Sequence, residues 1–241
     1  MRTSCFGRSP RPRHSLTLSA FYVVVLLGVV ACASSAPEPA ASIAEPRSAM
    51  AMASGVTRAD GEKGLDQSRI VPLGKISGDV EVVYGDPEVA GQAFVMRIRE
   101  LPGTVVPPHS HPVDEHITVV KGTWYFGFGE RYEPTALREL KTGSYAFAPK
   151  GSWMFGYAPE EAVVQVHGVG PFQIHWHDGA KTLDDPDAGK TFRFKRGEKV
   201  ASARGAGVIV EGYASGTLVQ YEVEKTGGER FMEHEHELRA Q

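Results

Sequence analysis

From Val80 onward the chain is built of short runs in which apolar and polar residues alternate. Val80–Tyr84, Phe94–Arg99, Ile117–Val120, Thr123–Phe128, Ser144–Ala148, Val163–His167 and Phe172–His177 carry strand-forming residues between turn residues. Phe94, Met96 and Ile98 alternate with Val95, Arg97 and Arg99, so one face of that run is apolar. Lys121-Gly122 stands between two runs and predicts a hairpin. Asp184-Asp185-Pro186-Asp187-Ala188-Gly189 is rich in turn formers and predicts a boundary. Beyond it, Gly197–Val200, Arg204–Val210, Gln220–Glu224 and Arg230–Met232 read as further short strands. No stretch beyond the first 31 residues keeps a helical period over ten or more positions. The pattern predicts an all-β fold: an antiparallel barrel or sandwich, then a second small β module.

The start of the chain differs. Arg2, Arg8, Arg11 and Arg13 precede an apolar stretch from Leu16 to Ala31, and the first 31 residues contain no acid. A basic leader with a short apolar core is the secretory pattern, and the stretch is short of the ~20 residues of a spanning helix. It ends Val29-Val30-Ala31-Cys32, which resembles a bacterial lipobox. That resemblance implies a signal peptide over residues 1–31 and lipidation of Cys32. With Ala33 next rather than Asp, it also implies a place in the periplasm, anchored to the outer membrane of a Gram-negative envelope. Cleavage after Ala36 and an uncleaved anchor are the alternatives. Residues 32–66 are rich in Ala, Ser, Pro and Glu, and no aromatic residue occurs between Tyr22 and Tyr84. Such a stretch offers too little apolar surface to offset ordering entropy and is expected to be a disordered linker.

Composition narrows the function. Of the 241 residues, 41% are hydrophobic and 23% charged, which excludes wholesale disorder. A net charge of -3 gives no general attraction to nucleic acid, and export argues against that partner as well. Cys5 lies in the leader, so cleavage leaves Cys32 alone. That excludes an intrachain disulfide, a four-cysteine zinc site and thiol catalysis. Nucleophile-elbow, phosphate-loop and dinucleotide glycine motifs are absent. Aromatic residues crowd between Trp124 and Trp176. Most are expected in a core, and Trp124, Phe126 and Trp153 are candidates to line a ligand pocket.

The distinctive chemistry lies between Gly103 and Gly122. His109 and His111 are two residues apart, so on a strand they share a face, and Glu115 follows at even spacing with Pro112 between. Two imidazoles and one carboxylate make a triad for a divalent ion, with positions left open for water, substrate or dioxygen.

Gly103, five residues, His109-Ser110-His111, three residues, Glu115, six residues and Gly122 together resemble the first cupin motif. Gly143, five residues, Pro149-Lys150-Gly151, two residues and then Met154 resemble the second, with methionine where the family has its last histidine ligand. The resemblance implies a double-stranded β-helix, or RmlC-like jelly-roll barrel, over residues 67–185. It also implies a metal (Fe, Mn, Zn, Ni or Cu) held inside its mouth by His109, His111 and Glu115. Thioether suits Cu(I) better than harder ions. Three outcomes stay open: a three-ligand site; a fourth ligand from Met154, His167, His175 or His177; or loss of the metal. His116, next to Glu115, is expected at the surface or behind the ligands.

Gly205-Ala206-Gly207-Val208-Ile209-Val210 loosely resembles a turn of SH3-like or Tudor-like barrels, which implies a small barrel over residues 190–241. Its basic residues Arg193, Lys195, Arg196, Lys199 and Arg204 are nearly balanced by acids. A solvated face packed on the first barrel or on a neighbour is expected there. The functional expectation is an exported cupin-domain lipoprotein that binds a divalent metal and a small molecule, as a mononuclear-metal, dioxygenase-like oxidoreductase. The alternatives are a non-catalytic ligand-binding cupin and an envelope interaction protein. Cupins often pair, so a homodimer is among the partners considered.

Overall fold

The computed structural model describes residues 47–48, 55–58, 71, 73 and 79–241, so the expected leader and Cys32 lie outside the described residues. The strands are β1 (Arg47–Ser48), β2 (Val56–Arg58), β3 (Val80–Tyr84), β4 (Ala93–Glu100), β5 (Val105–Ser110), β6 (Glu115–Lys121), β7 (Thr123–Phe128), β8 (Arg138–Lys141) and β9 (Tyr145–Ala148). They continue as β10 (Met154–Tyr157), β11 (Ala162–Val169), β12 (Gln173–Trp176), β13 (Lys181–Thr182), β14 (Lys199–Ser202), β15 (Gly205–Ser215), β16 (Leu218–Glu224), β17 (Arg230–His234) and β18 (Arg239–Ala240). One helical turn, α1 (Ala188–Thr191), precedes β14. Among the described residues no helix is long and apolar enough to cross a membrane.

Two sheets share one core. Their strand orders are β1-β12-β5-β10-β7-β8 and β2-β3-β4-β11-β6-β9. Phe94 and Met96 of β4, Ile117 of β6 and Val166 of β11 meet Trp124 and Phe126 of β7 in a single buried cluster. Period-two patterning produces this: each strand turns alternate side chains inward, and facing sheets bury both inner faces. The architecture is a double-sheet jelly roll, as the all-β reading expects.

Three local readings change. Lys121-Gly122 does not close a hairpin. β6 pairs with β11 and β9, whereas β7 pairs with β10 and β8 in the other sheet. Alternation marks strands but does not name their partners. Gly122 makes the corner at φ 73, where a Cβ would lie 2.4 Å from the Glu161 carbonyl oxygen. β5 is hidden in the sequence by Pro107 and Pro108, which fall where the ladder to β10 shifts register between Met154 and Gly156. The stretch 32–66, expected to be a disordered linker, contains β1 and β2. Arg47 pairs with Ile174, and Val56 runs parallel to Val80. Composition speaks only of side-chain burial, while sheet edges offer backbone hydrogen bonds to any sequence.

The third sheet has the order β17-β16-β15-β14-β18, with β13 on β15. Its own core includes Phe194, Ile209, Tyr221 and Phe231. The Tyr221 hydroxyl accepts from the Phe194 amide at 3.1 Å and donates to Glu235 at 2.7 Å. The expected closure into an SH3-like barrel is not seen in its ladders, since none joins β17 to β18 among the described residues. Part of this sheet instead meets the jelly roll. The Gln220 amide accepts from Val105 N at 3.1 Å and donates to Val105 O at 2.6 Å, taking the place of a neighbouring strand at the start of β5. Met232 N donates to Pro102 O at 2.8 Å beside it.

Packing between the sheets can be tested at Gly156 on β10. A Cβ there would lie 2.0 Å from Trp124 Cζ2 and 2.5 Å from Cη2. Gly156→Ala is expected to lower unfolding free energy by roughly 1–3 kcal/mol through overpacking. In urea unfolding, Gly227→Ala serves as control, since a Cβ at Gly227 meets nothing within 4 Å.

Candidate metal centre

The chain crosses between sheets at this site. His109 lies near the end of β5, His111 one residue beyond it, and Glu115 opens β6 in the facing sheet. The turn between them is tied to the Pro149-Lys150-Gly151 turn. Gly151 N donates to His111 O at 2.8 Å, and Lys150 N donates to an Asp114 carboxylate oxygen at 2.8 Å. The two motifs are thus one structural unit, and His109, His111 and Glu115 come to line one cavity. They are 8%, 2% and 5% exposed.

Each imidazole is fixed through Nδ1. His109 Nδ1 lies 2.8 Å from Pro107 O, and His111 Nδ1 lies 2.7 Å from Gln173 O. A carbonyl only accepts, so Nδ1 carries the proton and Nε2 keeps a free lone pair, the tautomer a metal ligand needs. Phe172 stacks on the His111 ring at 4.1 Å, and the His109 ring stands 5.0 Å from that of His111 and 5.2 Å from Trp176. His111 Nε2, Glu115 Oε2 and Trp176 Nε1 are buried without a hydrogen-bond partner. His111 Nε2 and Glu115 Oε2 are 3.6 Å apart. That is too long for a good hydrogen bond but close to the spacing of two donors sharing an ion at about 2.0–2.2 Å.

Burial sets the charges. It holds His109 down to about 4 and His111 down to about 3, with His109 adding to the second shift. It pushes Glu115 up to about 8. At neutral pH both rings are therefore neutral, and without a cation Glu115 holds a proton. Two of the three expected donors meet. The third ring is adjacent, and among the described residues no group of three His, Cys, Asp or Glu is gathered to hold an ion.

Met154 is 1% exposed, lies opposite His109 in the β5–β10 ladder, and lines the same cavity. Met154→His places an imidazole beside His109 and is expected to tighten Zn(II) binding by about tenfold or more. Competitive titration against a chelating dye measures it; unchanged affinity would show that position 154 does not face the ion. His167 is not at the site. Val164 and Val166 of β11 take the inward positions, and His167 stacks outside on His116 at 4.9 Å. His116 Nδ1 lies 2.7 Å from the Tyr145 hydroxyl, on the outer face as expected. His177 pairs with Asp178 at 2.9 Å.

The cavity is about 240 Å³, and Trp124 and Phe126 are among its lining residues. Trp153 does not: it precedes β10, where Met154 takes the inward position, and its ring packs edge-on against His177 at 5.0 Å. Phe172, Trp176 and Glu100 line the cavity and were not singled out in the sequence. Only Glu100 had a signal there, as the next residue on the Phe94–Met96–Ile98 face.

No model of a known protein family matches the chain, and no curated protein does. Among solved structures it is similar to an RmlC-like cupin protein from Desulfovibrio desulfuricans, at 20% identity over 37% of this chain and 79% of that one, TM-score 0.31. It is also similar to a protein with a double-stranded β-helix domain from Klebsiella pneumoniae, at 21% identity over 43% and 90%, TM-score 0.33. A third is the DMSP lyase DddQ from Ruegeria pomeroyi, at 21% identity, TM-score 0.29, where the match spans 34% of this chain and only 40% of that one. The jelly-roll assignment rests on the strand order, and the site on its own geometry.

Proposed function

We propose that this is an exported cupin-type protein in which His109, His111 and Glu115 hold one divalent ion at an apolar cavity. There it acts on a small oxygen-bearing molecule as a mononuclear-metal, dioxygenase-like oxidoreductase. The observation that carries this reading is the pair of buried, unpartnered atoms His111 Nε2 and Glu115 Oε2, 3.6 Å apart. Each such atom costs roughly 1–3 kcal/mol while it lacks a partner, and a cation between them relieves both. A divalent ion bound there supplies Lewis acidity toward a substrate oxygen. His109 and His111 present lone pairs without releasing a proton, Glu115 releases one, and Trp124 and Phe126 give the cavity an apolar wall.

The same reading has the chain anchored through lipid on Cys32 at the periplasmic side of the outer membrane. Its partners under this reading are a small molecule and, as cupins often pair, a second copy of the chain; nucleic acid is not one. A non-catalytic ligand-binding role is the second reading. It is favoured by Met154 at the last ligand position and by the absence of a closed three-donor group among the described residues.

Elemental analysis of protein from its native envelope tests the first reading. About one ion per chain (Fe, Mn, Zn, Ni or Cu) is expected, and none in His109→Ala. Protein that carries no metal and takes up none on soaking would leave the second reading standing.

A further inference from the structure

The cavity extends beyond the metal centre. Its wall continues along β4 and β5 to the end where the third sheet meets the jelly roll, and there Leu101, Gln220, Glu222 and Met232 line it. Phe94 and Met96 belong to the core and Ile98 packs against it. Glu100 is the next residue on that face of β4 and lines the cavity. The ladders give its distance from the metal centre. His116, next to Glu115, pairs with His167, and His167 pairs with Val95. Glu115 is thus near the start of β4, while Glu100 is five residues further along than Val95, about 17 Å at ~3.4 Å per residue.

No hydrogen bond or ion pair holds the Glu100 side chain among the described residues. Of the cations that line this end, Arg99 reaches Asp79 through Nη2 at 3.3 Å with its Nε buried and unpartnered, and Lys181 reaches Asp187 at 2.7 Å; no hydrogen bond or ion pair joins either of them to Glu100. Burial, with Asp79 adding, pushes Glu100 up to about 7. Between the two ends the wall is apolar, with Met96, Ile98, Trp124, Val164 and Val166. A carboxyl that faces an apolar cavity and lacks a cation of its own is complementary to a cation brought by a ligand.

We propose that Glu100 is a second anchor of this cavity and binds the ammonium group of an elongated amine with an apolar carbon body. The placing of the ligand's other end near His109, His111 and Glu115 rests on the metal reading above; the amine end stands on Glu100. The test uses the full chain dialysed against chelator and two probes that need no metal, hexylamine and 1-hexanol. At about pH 8 hexylamine is protonated, as a lysine side chain with a pKa of ~10.4 is. By calorimetry the wild type should prefer hexylamine by about tenfold or more, the size of a charge-assisted hydrogen bond. Glu100→Gln should bring the two probes to within about twofold of each other, since an amide keeps the shape and loses the charge. Equal affinities in the wild type, no measurable binding of either probe, or a preference that survives Glu100→Gln would each overturn the proposal. The metal reading is measured separately, by metal content. A chain without metal that still prefers hexylamine keeps the second anchor and loses the first.

Discussion

Glu115→Gln makes the metal-free protein more stable at pH 8 while lowering its metal affinity by more than about a hundredfold. The two effects have one cause. Glu115 is buried with one oxygen unpartnered, and burial raises it from the ordinary 4.5 to about 8. Between those values the folded chain keeps a proton that the unfolded chain has released, so stability falls as pH rises through that window. By pH 8 the loss is on the order of a few kcal/mol. Glutamine resembles the protonated form, cannot ionise, and avoids the loss. It also cannot supply an anionic oxygen to a cation. Removing a group that merely supports a ligand costs about 10–100-fold in metal affinity, so removing a ligand costs more. Urea unfolding in chelator and competitive Zn(II) titration read the two effects. A variant that is less stable than the wild type at pH 8 without metal would mean that Glu115 has a partner and that the site is misread.

Much of this site was legible because its residues stand in fixed spacing. His109 and His111 are two apart, and a period of two brings their rings to 5.0 Å. The Glu115 position could not come from that parity, since Glu115 belongs to the other sheet; the chain brings it there by crossing the barrel. The same crossing defeats the hairpin reading at Gly122. Strand identity is local and was visible in β4, β6 and β11, whereas strand partnership is set by the whole core. Trp153 and Trp124 read alike in sequence, but one precedes β10 and packs on His177 while the other packs over Gly156. Their difference depends on where β10 begins. The backbone carbonyls of Pro107 and Gln173, which fix the two imidazoles, carry no signal in side-chain identity at all.

In chelator, stability should be flat and maximal between about pH 4.5 and 6.5 and fall on both sides. The four most strongly shifted carboxyl and imidazole groups decide this. His109 and His111 ordinarily titrate at 6.5 but are held near 4 and 3. The unfolded chain therefore binds protons the folded one refuses, and stability is lost as pH falls below 6.5. Glu115 and Glu100 ordinarily titrate at 4.5 but are raised to about 8 and 7. Their contribution is lost as pH rises above 4.5. Each group contributes a slope of about 1.4 kcal/mol per pH unit while it is protonated in only one state. Between 4.5 and 6.5 two imidazoles oppose two carboxyls and the slopes cancel. Above 6.5 the carboxyls act alone, and below 4.5 the imidazoles do. A cation binds neutral imidazoles and an ionised Glu115, so added Zn(II) should raise the alkaline limb and move the maximum above pH 6.5, with the gain growing as ion concentration exceeds Kd. Urea midpoints from pH 4 to 9, with chelator and with Zn(II), give both curves. A maximum already near pH 8 in chelator would require Glu115 and Glu100 to be charged and paired in the folded chain, and the unpartnered Glu115 oxygen on which the metal reading depends would then have a partner within the protein itself.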